Sequence, residues 1–233
     1  MKNSKVTKTK KEHINTGNAK ITTDIVIFTI EDGELKILLV KRKYEPFKGR
    51  WALPGGFIKE GETLEETARR ELSEETGVSG VYLEQLYTFG EPKRDPRGRV
   101  VTAAYFALAP KHLMNLSASS DAEDAKLFSV KKHPELAFDH EKIMQKALHR
   151  LQNKIQYTNL SWSLLPNAFT LSEIQAVYEL IWDKKVDKRN FRKKMLTLGL
   201  LKPLSKERTG LRQRPAKLYA FKTKTYVELR RFF

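Results

Sequence analysis

Between Gly56 and Val78 the chain reads GFIKEGETLEETARRELSEETGV, and five residues in that stretch have the makings of chemistry. Glu62, Arg70, Glu71, Glu74 and Glu75 place four carboxylates and one guanidinium on a single loop and helix. Carboxylates this dense repel one another unless a cation lies between them. Hard divalent cations take oxygen ligands, and Mg²⁺ is held by a few carboxylates together with substrate phosphates. The cluster therefore points to phosphate chemistry.

The element that must position these groups is a helix with readable ends. Thr63 and Glu66 have the spacing of a capping box, and Gly77 suits a left-handed stop. At roughly 100° per residue, Leu64, Ala68 and Leu72 form an apolar stripe, with Glu71 and Glu75 in or at the edge of the same sector and Glu74 beside it. Glu65, Glu66, Arg69 and Ser73 point the other way. A solvated face accounts for Glu65 and Glu66 but not for Glu71 and Glu75. Ionised carboxylates on an inward face cost several kcal/mol each unless paired or coordinated, and a metal site resolves the conflict.

These residues resemble the signature of the Nudix hydrolases. That signature is a glycine, five residues, a glutamate, seven residues, then Arg-Glu-apolar-x-Glu-Glu-x-Gly-apolar. Gly56, Glu62, Arg70, Glu71, Leu72, Glu74, Glu75, Gly77 and Val78 meet it without departure. The resemblance implies an α/β/α sandwich and Mg²⁺-assisted (or Mn²⁺-assisted) attack of water on a diphosphate linked to another moiety. It implies that Glu71, Glu74 and Glu75, with the Gly55 carbonyl, bind the metals and that Arg70 orients the glutamates. The general base varies within the family, leaving Glu123 and Glu74 as candidates.

Composition bounds the rest. At 233 residues with 40% hydrophobic content the chain can bury a core in one or two domains. With no cysteine it has neither disulfides nor a thiolate zinc site. No apolar run approaches the roughly 18 residues of a membrane span, and the basic N-terminal stretch lacks an apolar signal segment, so the expectation is a soluble, cytoplasmic protein without membrane association.

Charge divides the chain unevenly. Residues 1–20 carry net +5, residues 21–150 net −1 and residues 151–233 net +12, within a total of +16. Residues 1–20 have no periodicity and read as a flexible basic tail. The strongly basic last third points to a polyanionic partner, most simply nucleic acid.

Strands are expected at Thr22–Ile30 and Leu35–Lys43 around an Asp-Gly turn, then at Val81–Phe89, Arg99–Leu108 and Leu127–Val130, with a closing helix over Phe138–Ile155. The order fits one compact domain over residues 21–156. Within it, residues 87–105 (YTFGEPKRDPRGRVVTAAY) put Lys93, Arg94, Arg97 and Arg99 in a cationic loop suited to a diphosphate or ribosyl ligand. Tyr87, Phe89 and Tyr105 are candidates to stack on a base, and Arg50 is a further ligand candidate. The competing reading is a hairpin with exposed arginines and core aromatics. The segment resembles the corresponding part of ADP-ribose-type Nudix proteins and of the Nudix-related transcriptional regulators called NrtR, which implies an ADP-ribose-like ligand.

Residues 157–233 form the second unit. Thr170-Leu-Ser-Glu173 is another capping box, opening a helix with Ile174, Val177, Tyr178 and Ile181 inward. After a short polar connection, Asp187 caps a second helix, Lys188–Leu198, that stops at Gly199. Two helices across a tight turn make a helix-turn-helix, whose second helix enters the major groove. Lys188, Arg189, Asn190, Arg192 and Lys193 lie on it. Arg suits guanine and Asn adenine, whereas Lys suits phosphates. A polar loop at Ser205–Arg214 and a strand at Ala216–Phe221 read as a wing, with Arg212 and Arg214 near its tip. FTLSEIQAVYE, DKRNFRKK and RPAKLYAF resemble the C-terminal domain of NrtR regulators.

The fold class expected is therefore α+β, a Nudix α/β/α sandwich followed by a winged helix-turn-helix. The resemblance implies a homodimer on a palindromic operator in duplex DNA, repressing NAD-biosynthesis or sugar-catabolism genes, with an ADP-ribose-like nucleotide as effector. The alternative is a pyrophosphohydrolase with a basic accessory domain. The two separate in a titration of a palindromic and a random duplex at rising salt. The regulator loses affinity steeply with salt and keeps an excess for the palindrome; no preference at any salt removes that reading.

Overall fold

Alternation along the first strand sorts the molecule into layers. The computed structural model describes residues 18–114, 116, 122–208 and 216–233, so all but the last residues of the basic tail, and Arg212 and Arg214 of the expected wing, lie outside the described residues. In β1 (Lys20–Glu31), Ile25 and Ile27 face one side of the sheet while Val26 and Phe28 face the other. Successive side chains of a strand point to opposite faces, and an unbroken apolar run of this kind needs cover on both.

The cover comes from two helices. α1 (Leu64–Thr76) lays Ala68 and Leu72 on Ile25, Ile27, Ala103 and Ala107. α2 (His140–Lys154) lays Ile143, Met144, Ala147 and Leu151 on Val26, Phe28, Ala104 and Phe106. Between them the sheet runs β3-β2-β1-β6-β5, with β4 added on β1 and β7 on β2. Here β2 is Glu34–Arg42, β3 Trp51–Ala52, β4 Gly55–Phe57, β5 Tyr82–Phe89, β6 Val100–Leu108 and β7 Ala122–Ser129. β6 is parallel to β1, Lys20 opposite Val100 through Phe28 opposite Leu108. The α1 capping box and the left-handed stop at Gly77 (φ +66°) both form as the sequence predicts.

β7 begins five residues earlier than its apolar stretch suggests. Its first half carries Glu123, Asp124 and Lys126 yet pairs with β2 as far as Arg42 opposite Ala122. Backbone pairing sets that boundary, and a strand lying along one edge of the sheet tolerates the charges.

The second unit has α3 (Leu171–Trp182), α4 (Lys188–Thr197), β8 (Leu201–Arg208) and β9 (Ala216–Phe221). Thr170 and Asp187 cap the helices as expected. The first strand of the wing runs on to Arg208, through residues that read as loop, because Glu207 and Arg208 pair with Lys217 and Ala216.

The two units share one core. Ile143, Ala147, Leu151 and Ile155 of the first pack in the same apolar cluster as Ile174, Val177, Ile181, Phe191 and Met195 of the second. Gln152 Nε2 donates to the Ile181 carbonyl at 3.0 Å, and Trp182 Nε1 donates to the Gln152 carbonyl at 3.0 Å. Ile181→Ala is therefore expected to lower stability by about 2–5 kcal/mol. Calorimetry should show the loss in one transition for the whole chain; a separate low-temperature transition with the rest unmoved would contradict a shared core.

Candidate diphosphate cleft and nucleic-acid interface

The cleft exists because β1 and β2 part company. They pair only where Phe28–Glu31 meets Glu34–Ile37. Beyond, β4 takes the edge of β1 at Thr22–Asp24 and β3 takes that of β2 at Val40–Lys41. The peptide between β3 and β4 bridges the gap. The Ile25 amide donates to the Pro54 carbonyl at 2.8 Å, and the Leu53 amide donates to His140 Nδ1 at 2.9 Å. Two glycines allow the tight approach. A Cβ on Gly55 would sit 2.2 Å from the Thr23 carbonyl oxygen, and one on Gly56 would sit 2.2 Å from Glu71 Oε1.

Across this turn lies the acidic face of α1. Arg70 Nε donates to Glu62 Oε1 at 2.7 Å, and its Nη1 to Glu71 Oε1 at 2.6 Å, with Glu74 Oε2 3.5 Å away. Glu62 also accepts from the Lys59 amide and the Thr67 hydroxyl. The Arg70 hydrogen bond above all holds the Glu62 carboxyl down at about 2, so it stays ionised and fixes the guanidinium. Glu71 behaves oppositely: burial raises its pKa, and Arg70 offsets that only in part. Glu75 is buried at 3% exposure, whereas the Glu74 side chain is 44% exposed.

Among the described residues, no three His, Asp or Glu side chains stand gathered as a ready metal-holding group. The residues nonetheless fit a divalent cation. The donors are all oxygen, the choice of a hard ion, and the space beside Glu71 is one that a Cβ at Gly56 would fill. A cation there would share Glu71 and Glu74 with Arg70.

The cleft measures about 460 Å³ and brings Gly55, Arg70, Glu71 and Glu74 together with Arg94 and Arg97. Arg97 pairs with Asp95 at 2.7 Å and lies 5.2 Å from the Phe57 ring and 5.5 Å from that of Phe138. Arg94 is almost wholly buried, held by Asp139 at 2.7 Å and Asp24 at 3.2 Å. Burial alone would lower its pKa, but these carboxylates outweigh it and raise it.

Glu75 is buried on the sheet side of α1, one turn beyond Glu71. Several other expected residues lie elsewhere. Glu123 stands on β7, 3.3 Å from Lys41, outside the cleft lining. Arg50 pairs with Glu135 at 3.0 Å on the exterior. Tyr87 is exposed on β5, edge-on to Phe89, with the Lys146 ammonium 4.0 Å from its ring centroid. Tyr105 is core on the α1 side, with Ala68 and Leu72. Residues 87–105 are thus divided: the arginines Arg94 and Arg97 reach the cleft and the aromatics do not. The cleft's own aromatics are Tyr44, Phe57 and Phe138, joined by Asp24 and His140. Asp24 was the one of these with a local signal, a lone charge inside a β-branched run.

On the second unit, Phe191 and Met195 anchor α4 in the core, which turns Lys188, Arg189, Asn190 and Lys193 to solvent. Arg192 is half-buried and donates to Ser172 Oγ of α3 at 2.9 Å. Glu173 of the α3 cap pairs with Arg208 of the wing, which ties strand and helix together.

Comparison with known proteins agrees with both halves. Residues 20–151 match the NUDIX domain, and residues 161–221 match the NrtR DNA-binding winged helix domain. The chain is 40% identical over 210 residues to the ADPR responsive transcriptional repressor NtrR of Acinetobacter baylyi, covering 88% of this chain and 83% of that one. Among solved structures, Shewanella oneidensis NrtR in complex with a 27mer DNA superposes with a TM-score of 0.78 at 39% identity, over 87% of this chain and 93% of that one. The NUDIX domain of the same protein, complexed with ADP ribose, superposes with a TM-score of 0.51 at 42% identity, over 58% and 90% of the two chains. A flawless glutamate box and a winged helix on one continuous core thus identify the chain as a member of the Nudix family, in its NrtR branch with a C-terminal DNA-binding domain.

Proposed function

We propose that this protein is an ADP-ribose-responsive transcriptional repressor that binds a palindromic operator as a homodimer. The observation that carries the reading is the joining, through one core, of an arginine-lined acidic cleft to a solvent-facing helix bearing Arg189 and Asn190. Arg189 and Asn190 would meet base edges while Lys188 and Lys193 meet phosphates. In the cleft, Arg97 supplies positive charge for a diphosphate between two aromatic rings.

The intact acidic set supports hydrolysis as well as sensing. Glu71, Glu74 and Glu75, with the Gly55 carbonyl, would hold Mg²⁺ or Mn²⁺, which supplies charge neutralisation and an acidified water. Arg70, clamped by Glu62, keeps Glu71 in place against the glycine turn. Of the two candidate bases, Glu74 lines the cleft, whereas Glu123 is paired with Lys41 outside it; where Glu74 serves as the base, Glu71, Glu75 and the Gly55 carbonyl are left to hold the metal. Cleavage of ADP-ribose to AMP and ribose 5-phosphate would clear the effector. A primary hydrolase is the second reading, favoured by that same complete set of glutamates.

Three variants test these roles. Glu75→Gln is expected to abolish Mg²⁺-dependent hydrolysis, read as AMP release; undiminished turnover would remove Glu75 from the site. Gly56→Ala drives a methyl into Glu71 and should weaken Mn²⁺ binding about tenfold or more by electron paramagnetic resonance, with each lost tenfold about 1.4 kcal/mol. Arg189→Ala should cost specific DNA affinity about 1–3 kcal/mol and leave hydrolysis unchanged. Equal losses on operator and random duplex would mean that Arg189 contacts phosphate only.

A further inference from the structure

One helix touches both ends of the molecule. α2 has 15 residues, so it spans about 22 Å. Its entry forms part of the cleft wall, through Phe138 and His140. Phe138 takes a left-handed backbone conformation (φ +56°), rarely adopted by a bulky side chain, and its ring packs edge-on against Phe47 at 4.8 Å. Asp139 occupies the N-cap position but makes no side-chain cap hydrogen bond. Its carboxylate is instead committed to Arg94, accepting from Nε at 3.0 Å and Nη2 at 2.7 Å. His140 is buried and holds the Leu53 amide of the cleft's glycine turn.

The far end of α2 is the floor of the second unit. Gln152 exchanges hydrogen bonds with Ile181 and Trp182 at the end of α3. Just beyond α2, the Gln156 and Tyr157 carbonyls accept from the Phe232 and Leu229 amides, at 2.9 and 2.7 Å. That segment carries Phe233, whose ring stacks on Phe191 of α4 at 5.4 Å and meets Trp182 at 5.1 Å. Phe191, which helps turn α4 outward, is thus linked to the end of α2 through the segment Leu229–Phe233. A second bridge between the units, Lys131 with Asp183, is more than 60% exposed on both sides, and such pairs contribute little.

We propose that the Arg94–Asp139 pair is the joint through which occupancy of the cleft is passed along α2 to α3 and α4. Arg94 lies at the cleft and at the same time holds the start of α2. An anionic ligand therefore meets it in competition with Asp24 and Asp139, and weakening the Asp139 contact frees the entry of the helix to shift. A rigid helix carries that shift to Gln152, where it acts on Trp182 and the aromatic packing beneath α4. The ligand's differential interaction with the two settings of this pair supplies the coupling free energy that any such response requires.

This inference rests on the regulatory reading above, and its test separates the two. For the full chain in EDTA, the operator dissociation constant is measured with and without saturating ADP-ribose, and their ratio is the coupling factor. Asp139→Asn removes charge at the joint, and Trp182→Phe removes the indole donor while keeping an aromatic ring; neither residue lines the cleft or the α4 surface. The expected result is a coupling factor about fivefold or more below that of the unaltered protein in both variants. Asp139→Asn removes a competitor for Arg94 and so binds ADP-ribose alone as tightly as the unaltered protein or more tightly, and Trp182→Phe leaves both single-ligand affinities nearly unchanged. A folded variant of either kind that keeps the full factor, or one that loses coupling only because it no longer binds ADP-ribose, overturns the joint. An unaltered protein that binds both ligands independently overturns the regulatory reading, and the joint with it.

Discussion

Carboxylates on the inner face of a helix set the terms for the rest of this structure. Glu71 and Glu75 lie on the side of α1 that packs on the sheet, where an ionised group without support costs several kcal/mol. The surroundings answer that cost in sequence. Glu62 fixes Arg70, Arg70 spans Glu71 and approaches Glu74, and Gly56 leaves Glu71 its space. For the glycine turn to come that close, β2 must leave β1 after Ile37 so that β3 and β4 can insert. The cleft is the consequence of that divergence.

The opposite face of the sheet has a different task. Apolar residues of β1 and β6 need cover there as well, and α2 supplies it without being exhausted by it. Its remaining surface takes α3, so the winged helix unit is built onto the Nudix fold through shared packing. Close-packed protein cores rearrange in discrete steps and transmit strain. A pocket at one end of α2 and a helix-turn-helix at the other are therefore mechanically adjacent despite the distance between them.

Much of this was legible in the residues. Capping boxes at Thr63 and Thr170, the stop at Gly77 and the cap at Asp187 are local hydrogen-bond chemistry, and all form as read. The period of α4 separates Phe191 and Met195 from Arg189 and Lys193 with no need of neighbours. Where pairing with a distant strand decided the outcome, as for the charged start of β7 and the far half of β8, the local pattern fell short.

The candidate site divides the same way. The glutamate box lies in 23 consecutive residues, so its spacing already placed Glu71 and Glu75 on the inner face of α1 and Glu62 within reach of Arg70. Which partners face them depends on where five other segments of the chain meet α1. Residues 87–105 carry aromatic and cationic groups alike, yet β5 and β6 place Tyr87 on the outside and Tyr105 in the core, leaving Arg94 and Arg97 at the cleft. The aromatic walls come instead from Phe57 and Phe138, 81 positions apart by their numbers. The residues alone determined the acidic cluster, the helix ends and the basic recognition helix, because each depends on contacts within a turn or two of chain. Only the tertiary structure decided what surrounds the ligand and how α2 joins the two units, because those contacts are made between strands and helices that no local spacing relates.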